Sequence, residues 1–201
     1  MQVVLAAPVV PAAPAAEEEG EAAAAVEAIE EHFTIQWHIT ERCNCRCLHC
    51  YQEECRDESD QGEIETTRRA ISHFLHGRKG VITITGGEPL LHPHFFSLLN
   101  SLEHPFGVLT NGTLIDSTTA QRLVESRPAF VQVSIEGREK THEAIRGKGS
   151  YRAAVEGIKN LTRLNQRVII SFTAHSRNLG TYPQWPDWAG VWRWIRFGWT
   201  G

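Results

Sequence analysis

The architecture is clearest in residues 81–89, which read Val81-Ile82-Thr83-Ile84-Thr85-Gly86-Gly87-Glu88-Pro89. Five β-branched residues followed by two glycines and a proline are typical of a strand that ends in a turn. A helix is expected next, because Pro93 suits a first helical turn and an apolar stripe begins at Phe95. A strand, a turn and an amphipathic helix make one βα unit, and repeated βα units build parallel sheets.

The same alternation extends in both directions. The predicted strands are Phe33 to Ile39, Val81 to Thr85, Phe106 to Thr110, Phe130 to Ile135 and Arg167 to Ala174. The predicted helices run from Thr66 to His76, from Pro93 to Leu102, after a cap at Asp116 or Ser117, and after a cap at Ser150. We therefore expect an α/β domain over residues 32–177, with a parallel sheet of about five strands.

The two flanks differ from this core. Residues 1–31 are rich in Ala, Pro and Glu, with seven Glu between Glu17 and Glu31, which predicts a disordered leader. Residues 178–201 form an atypical tail with five of the six Trp and no Lys. Because no further βα unit is legible there, we expect a truncated chain or a frame-shifted end.

Composition excludes several classes of partner. A net charge of -4 gives no broad basic surface, so neither nucleic acid nor a membrane is expected as a partner. The chain lacks the run of roughly 18 to 20 apolar residues that a spanning helix needs. Pro8, Pro11 and Pro14 interrupt the apolar start and argue against a signal peptide. Closely spaced thiols fit a reducing compartment, and we expect a cytoplasmic protein.

Chemically distinctive residues follow the predicted strands. A cysteine run follows the first strand, Gly86 to Pro89 the second, Asn111-Gly112 the third and Ser134 to Gly137 the fourth. The carboxyl ends of parallel strands share one edge, where ligands usually bind. These segments are expected to form one site.

The cysteine run indicates metal binding. Cys43, Cys47 and Cys50 are spaced as CxxxCxxC, and three thiolates leave one iron of a 4Fe-4S cluster open to an outside ligand. A zinc site is the alternative, and its further ligands would come from Cys45, Cys55, His38 and His49. Zinc sites prefer paired CxxC units, and only Cys47 and Cys50 form one, so Cys45 and Cys55 are interpreted as spectators.

The run from Thr40 to Tyr51 resembles the cluster loop of radical S-adenosylmethionine (SAM) enzymes, especially the branch that often carries a C-terminal SPASM domain. Gly86-Gly87-Glu88-Pro89 resembles the GGEP motif of that family. The segments Ser134 to Gly137 and His142 to Gly147 look like its fourth-strand segment. The resemblance covers roughly residues 33 to 175.

The resemblance implies a partial (β/α)6 radical SAM barrel that lacks its sixth strand and C-terminal domain. It implies two cofactors, a 4Fe-4S cluster on Cys43, Cys47 and Cys50, and SAM. Gly86, Gly87, Glu88 and Pro89 would hold the SAM amino group.

The remaining SAM contacts follow from the same resemblance. Ser134 and Arg146 would lie near the SAM carboxylate. His49 and Tyr51 flank the last cysteine, and the aromatic position in this loop would lie by the adenine. Asn111 would either contact ligand or simply form an Asn-Gly turn.

The implied activity is reductive cleavage of SAM to a 5'-deoxyadenosyl radical. The expected partners are a peptide or protein substrate and an electron donor such as a ferredoxin or flavodoxin. The alternatives are a radical SAM enzyme acting on a small metabolite, and an inactive iron-sulfur or zinc-binding fragment.

Overall fold

The computed structural model describes residues 2–6, 32–50, 61–174 and 176–178. In this part of the chain the strands form one sheet, whose spatial order follows the sequence. The strands are β1 (Gln2–Ala6), β2 (His32–His38), β3 (Lys79–Thr85), β4 (Phe106–Thr110), β5 (Phe130–Ser134) and β6 (Val168–Ser171). Strands β2 to β6 are all parallel, so the predicted α/β class with five parallel strands is confirmed.

Helices connect the parallel strands. They are α1 (Gln61–Leu75), a 3-10 helix (Pro89–Leu91), α2 (Phe95–Ser101), α3 (Ser117–Glu125), α4 (Glu139–Arg146) and α5 (Ser150–Arg163). Asp116 caps α3 as predicted, because its carboxylate accepts a 2.7 Å hydrogen bond from the Thr119 amide.

Two helix assignments need correction. Residues His142 to Arg146 lie on α4 rather than in a strand segment, and burial of His142 and Ile145 on one face explains this short helix. The cap of α5 is Gly149, in the left-handed region, and not Ser150. Ser150 is the first helical residue, and its hydroxyl donates to the Gly147 carbonyl at 2.6 Å.

Strand β1 corrects the prediction of a disordered leader for residues 2–6. It pairs antiparallel with β2, with Gln2 opposite His38 and Ala6 opposite Thr34. The sequence Val3-Val4-Leu5 favours extended backbone, and the pairing satisfies edge groups of β2 that would otherwise lack ladder partners. The rest of the predicted leader, residues 7–31, and most of the predicted tail, residues 179–201, lie outside the described residues.

The sheet has one apolar face and one polar face. Alternate residues such as Ile35, Trp37, Ile84 and Val133 are fully buried and pack with apolar side chains of the helices. Each such side chain contributes about 1.5–3 kcal/mol through burial. The residues that alternate with them carry polar side chains, including Gln36, Gln132, Ser134 and Ser171, and these line a cavity. This face therefore leads into the site.

Among the helices that the structure describes, none combines the length and the apolar character required to cross a membrane.

Candidate functional site

A cavity of about 430 Å³ lies at the carboxyl ends of the parallel strands. It brings together most of the residues that the sequence predicted for one site. They are Cys43, Cys47, His49, Cys50, Gly86, Gly87, Asn111, Ser134 and Arg146. Glu88 and Pro89 do not line the cavity, and Tyr51 lies outside the described residues.

Backbone hydrogen bonds fix the cysteine loop against the turn that follows β3. The Gly87 amide donates to the Thr40 carbonyl at 2.9 Å, and the Glu88 amide donates to the Arg42 carbonyl at 2.7 Å. The loop therefore starts as an extension of β2 that stays paired with the Gly-Gly turn. This pairing brings the loop to the cavity rim just before Cys43.

The two glycines permit this close approach. A Cβ atom on Gly86 would collide with the Thr40 carbonyl oxygen, and one on Gly87 would collide with the Arg42 carbonyl oxygen. Gly86 also has φ +149, a value that side chains disfavour. The two glycines thus let the cysteine loop pack closely against the turn after β3.

Glu88 lies behind the cavity wall. It is 0% exposed, and its carboxylate accepts hydrogen bonds from the Thr110 hydroxyl at 2.7 Å and the Asn111 amide at 2.8 Å. Burial raises the pKa of Glu88 to about 7, against the opposing effect of these hydrogen bonds. The carboxylate thus joins the Gly-Gly turn to the end of β4, and its contact with the SAM amino group stays a prediction.

Asn111 connects the end of β4 to the cysteine loop. Its side-chain amide donates to the Asn44 carbonyl oxygen at 2.8 Å and approaches Cys43 Sγ at 3.9 Å. Its own carbonyl oxygen accepts from the Thr113 amide at 2.9 Å, as in an Asx turn. Asn111 therefore forms the turn and also faces the cavity beside Cys43.

Arg146 reaches the cavity from α4 and is held by Glu136, a residue for which the sequence predicted no role. Two guanidinium nitrogens, Nε and Nη2, donate to Glu136 Oε1 at 3.0 and 2.6 Å. The third, Nη1, lies 3.7 Å from Cys47 Sγ. The sequence does hold a signal for this ion pair, because Glu136 comes immediately after the buried residue Ile135. A charge without a partner would be costly at such a place, so a cation is expected beside it.

The thiols differ in acidity. The Cys45 thiol is the main cause that lowers the pKa of Cys43 to about 6, with help from the Cys45 amide, Asn111 and Arg146. Burial raises the pKa of Cys47. The pKa of Cys45 is raised, chiefly because its thiol donates to Cys43. Since the thiolate is the form that binds metal, Cys43 is the thiol best prepared to act as a ligand.

A single ion and a cluster make different demands on the side chains of the described residues. No three His, Cys, Asp or Glu side chains among them converge tightly enough to hold one ion. A zinc site needs four ligands within about 2.3 Å of one point, whereas cluster cysteines bind separate irons and so stand farther apart. Cys43, Cys47 and Cys50 all line one cavity, an arrangement compatible with a cluster, and Cys55, one of the further ligands considered for zinc, lies outside the described residues.

A thiol-lined cavity at the strand ends of a parallel α/β sheet is typical of a cofactor-dependent enzyme. A sequence profile described as the Radical SAM superfamily matches residues 37–177. The match spans well over half of the chain, and the protein belongs to the radical SAM superfamily.

Individual relatives agree with this assignment. The chain is 31% identical over 155 residues to an Fe-coproporphyrin III synthase of Methanosarcina barkeri, covering 74% of this chain and 39% of that protein. It is 33% identical over 139 residues to a mycofactocin maturase of Mycobacterium ulcerans, covering 66% of this chain and 37% of that protein. The chain thus spans less than two fifths of these curated relatives.

A solved structure shares the fold. The enzyme anSMEcpe, crystallised with AdoMet and a peptide, superposes with a TM-score of 0.65 at 19% identity. The match covers 82% of this chain and 49% of that one. The radical SAM superfamily consists of enzymes whose cofactors are a 4Fe-4S cluster and SAM. The enzyme class and the cofactors that the sequence predicted are therefore confirmed at the level of the family.

Proposed function

We propose that the cavity holds a 4Fe-4S cluster on Cys43, Cys47 and Cys50 and binds SAM beside it. The observation that supports this most strongly is that the three thiols, the Gly-Gly turn and Arg146 all line one cavity. When both cofactors are bound, the reduced cluster supplies the electron that cleaves SAM to a 5'-deoxyadenosyl radical.

The residues of the chain bind and orient these groups. The Asn111 amide, 3.9 Å from Cys43 Sγ, supports the thiolate form of that ligand. Among the described residues, Arg146 is the arginine that lines the cavity, and its positive charge suits the SAM carboxylate. Ser134 contributes a hydroxyl to the same wall, and His49, with Tyr51 beyond it, would flank the adenine.

We propose a peptide or protein as the substrate, and a ferredoxin or flavodoxin as the electron donor. The mycofactocin maturase relative and the peptide-bound anSMEcpe structure support the substrate class by analogy. The uncharged polar wall formed by Gln36, Gln132 and Ser171 also suits amide groups, which need both donors and acceptors.

A small metabolite is the second candidate substrate. Its support is the relative named Fe-coproporphyrin III synthase, which is as similar in sequence as the maturase. The two candidates differ in what should raise the yield of 5'-deoxyadenosine, namely a peptide from the same genomic neighbourhood or an iron tetrapyrrole precursor of Fe-coproporphyrin III.

The test of the proposed function is anaerobic reconstitution with iron and sulfide. We expect about four irons per chain and, after reduction of the cluster with dithionite, an electron paramagnetic resonance signal that changes when SAM is added. Addition of dithionite and SAM should then yield 5'-deoxyadenosine, and a variant with Cys43, Cys47 and Cys50 all changed to Ala should yield none. A cluster whose signal ignores SAM, or a protein that takes up zinc instead, would refute the proposal.

A further inference from the structure

Glu136 is a fully buried acid beside the cavity, and its side chain contacts three different parts of the fold. It lies two residues beyond the end of β5 and is 0% exposed. Its carboxylate accepts from Arg146 on α4 and from the Thr173 amide beyond β6, the latter at 3.0 Å. His49 of the cysteine loop lies 3.7 Å from the same carboxylate.

The backbone of Glu136 is fixed as well. Its amide donates to Nδ1 of His142 at 3.1 Å, and His142 is itself 1% exposed. Burial is the main cause that lowers the pKa of His142 to about 4. The imidazole is therefore neutral at pH 7, and its Nδ1 lone pair is free to accept this bond. Both ends of Glu136 are held, so its carboxylate has little freedom to move.

This arrangement dictates where the guanidinium of Arg146 points. Nε and Nη2 are both engaged by one oxygen, Glu136 Oε1, and the plane of the group is thereby set. Nη1 is directed to Cys47 Sγ at 3.7 Å. Without the carboxylate, a long arginine side chain would have several rotamers available, and its charge would lie unpaired in a largely buried place.

We propose that Glu136 is a positioning residue, which holds Arg146 in the orientation that binds the SAM carboxylate. This rests on the proposed function, in which Arg146 is the SAM-binding cation. Glu136 does not line the cavity, so it acts through Arg146 and not on the ligand.

The test separates orientation from stability by two measurements on one set of variants. The melting temperature is taken on the metal-free chain, and SAM affinity is measured by equilibrium dialysis on the reconstituted protein. Glu136→Gln should lower the melting temperature, because it leaves Arg146 buried without its counter-charge. It should also weaken SAM binding by about tenfold or more, as expected when a charge-assisted contact is misaligned.

The double variant Glu136→Gln with Arg146→Met gives the discriminating result. It removes both charges and keeps an unbranched side chain, so the melting temperature should return toward that of the wild type. SAM affinity should stay low, because the cation is gone. The matched control is Glu65→Gln, since Glu65 also accepts from arginine side chains, those of Arg68 and Arg69, but lies exposed on α1. Both measurements should stay close to wild type in that control.

Wild-type SAM affinity in Glu136→Gln would overturn the positioning role, as would a double variant that recovers both measurements. If Glu136→Gln does not fold, Glu136→Asp is used, which keeps the charge but withdraws it by one methylene. A folded Glu136→Asp protein should bind SAM more weakly, and unchanged binding would overturn the proposal. A wild-type protein that holds a cluster but binds no SAM would instead refute the proposed function and the positioning role together.

Discussion

Two fully buried carboxylates, Glu88 and Glu136, lie beside the cavity, and their partners differ. Glu136 is paired with a cation, Arg146, at 2.6 Å. Glu88 is held by a hydroxyl and by backbone amides, which are neutral donors. A buried carboxylate with neutral donors keeps much of its desolvation cost, and this explains why its pKa is raised to about 7.

This raised pKa predicts how stability depends on pH. Between the ordinary value of 4.5 and about 7, the unfolded chain has lost the Glu88 proton while the folded chain still holds it. The free energy of unfolding should therefore fall as pH rises through this window, by about 3 kcal/mol from this group. The measurement is urea unfolding of the metal-free chain and of Glu88→Gln at several pH values.

Comparison with Glu88→Gln isolates this group from others that titrate nearby. His142, whose pKa is lowered to about 4, acts in the opposite direction, because it destabilises the fold as pH falls. The wild type should lose stability relative to Glu88→Gln as pH rises. If the stability of the wild type relative to Glu88→Gln stays constant or increases as pH rises from 4.5 to about 7, Glu88 is ionised throughout this window and the prediction is wrong.

At the scale of elements, α5 is the support for the turn after β4. Gly157 of α5 lies directly against the Gly112 carbonyl, and a Cβ atom on Gly157 would collide with that oxygen. Gly112 follows Asn111, so the helix presses on the turn that faces Cys43. Packing of a helix outside the cavity thus helps to set the position of a side chain inside it.

Gly157→Ala tests this support. Helix propensity favours Ala over Gly by about 1 kcal/mol, whereas overpacking costs about 1–3 kcal/mol. Because the obstacle is backbone and cannot rotate away, we expect a net loss of about 1–2 kcal/mol in urea unfolding. The exposed substitution Lys159→Ala on the same helix should change stability by less than about 0.5 kcal/mol. A more stable Gly157→Ala protein would mean that α5 can shift freely from the turn.

At the scale of the whole molecule, much of the fold is predictable from local pattern. The five parallel strands are predictable because β-branched runs alternate with helical periodicity. The cavity is predictable because distinctive residues follow successive strands, and parallel strands bring those ends together.

What could not be predicted depends on contacts between distant residues. Strand β1 forms by pairing with the edge of β2, and the sequence of residues 2–6 does not indicate which strand it pairs with. Helix α4 is short, and only the burial of His142 and Ile145 defines its inner face. The role of Glu88 follows from Thr110 and Asn111, more than 20 residues away, and Glu136 bonds both Arg146, 10 residues away, and Thr173, more than 30 residues away. Such carboxylates look like ordinary loop acids in a sequence.

The central claim is that the CxxxCxxC thiols, and not merely a thiol-rich loop, support cleavage of SAM. Cys45→Ala and Cys47→Ala remove one thiol each from the same cavity wall, so they form a matched pair. The decisive measurement is chromatographic quantification of 5'-deoxyadenosine after reconstitution and reduction. We predict product from the wild type and from Cys45→Ala, and none from Cys47→Ala. Product from Cys47→Ala, or its loss in Cys45→Ala alone, would contradict this account.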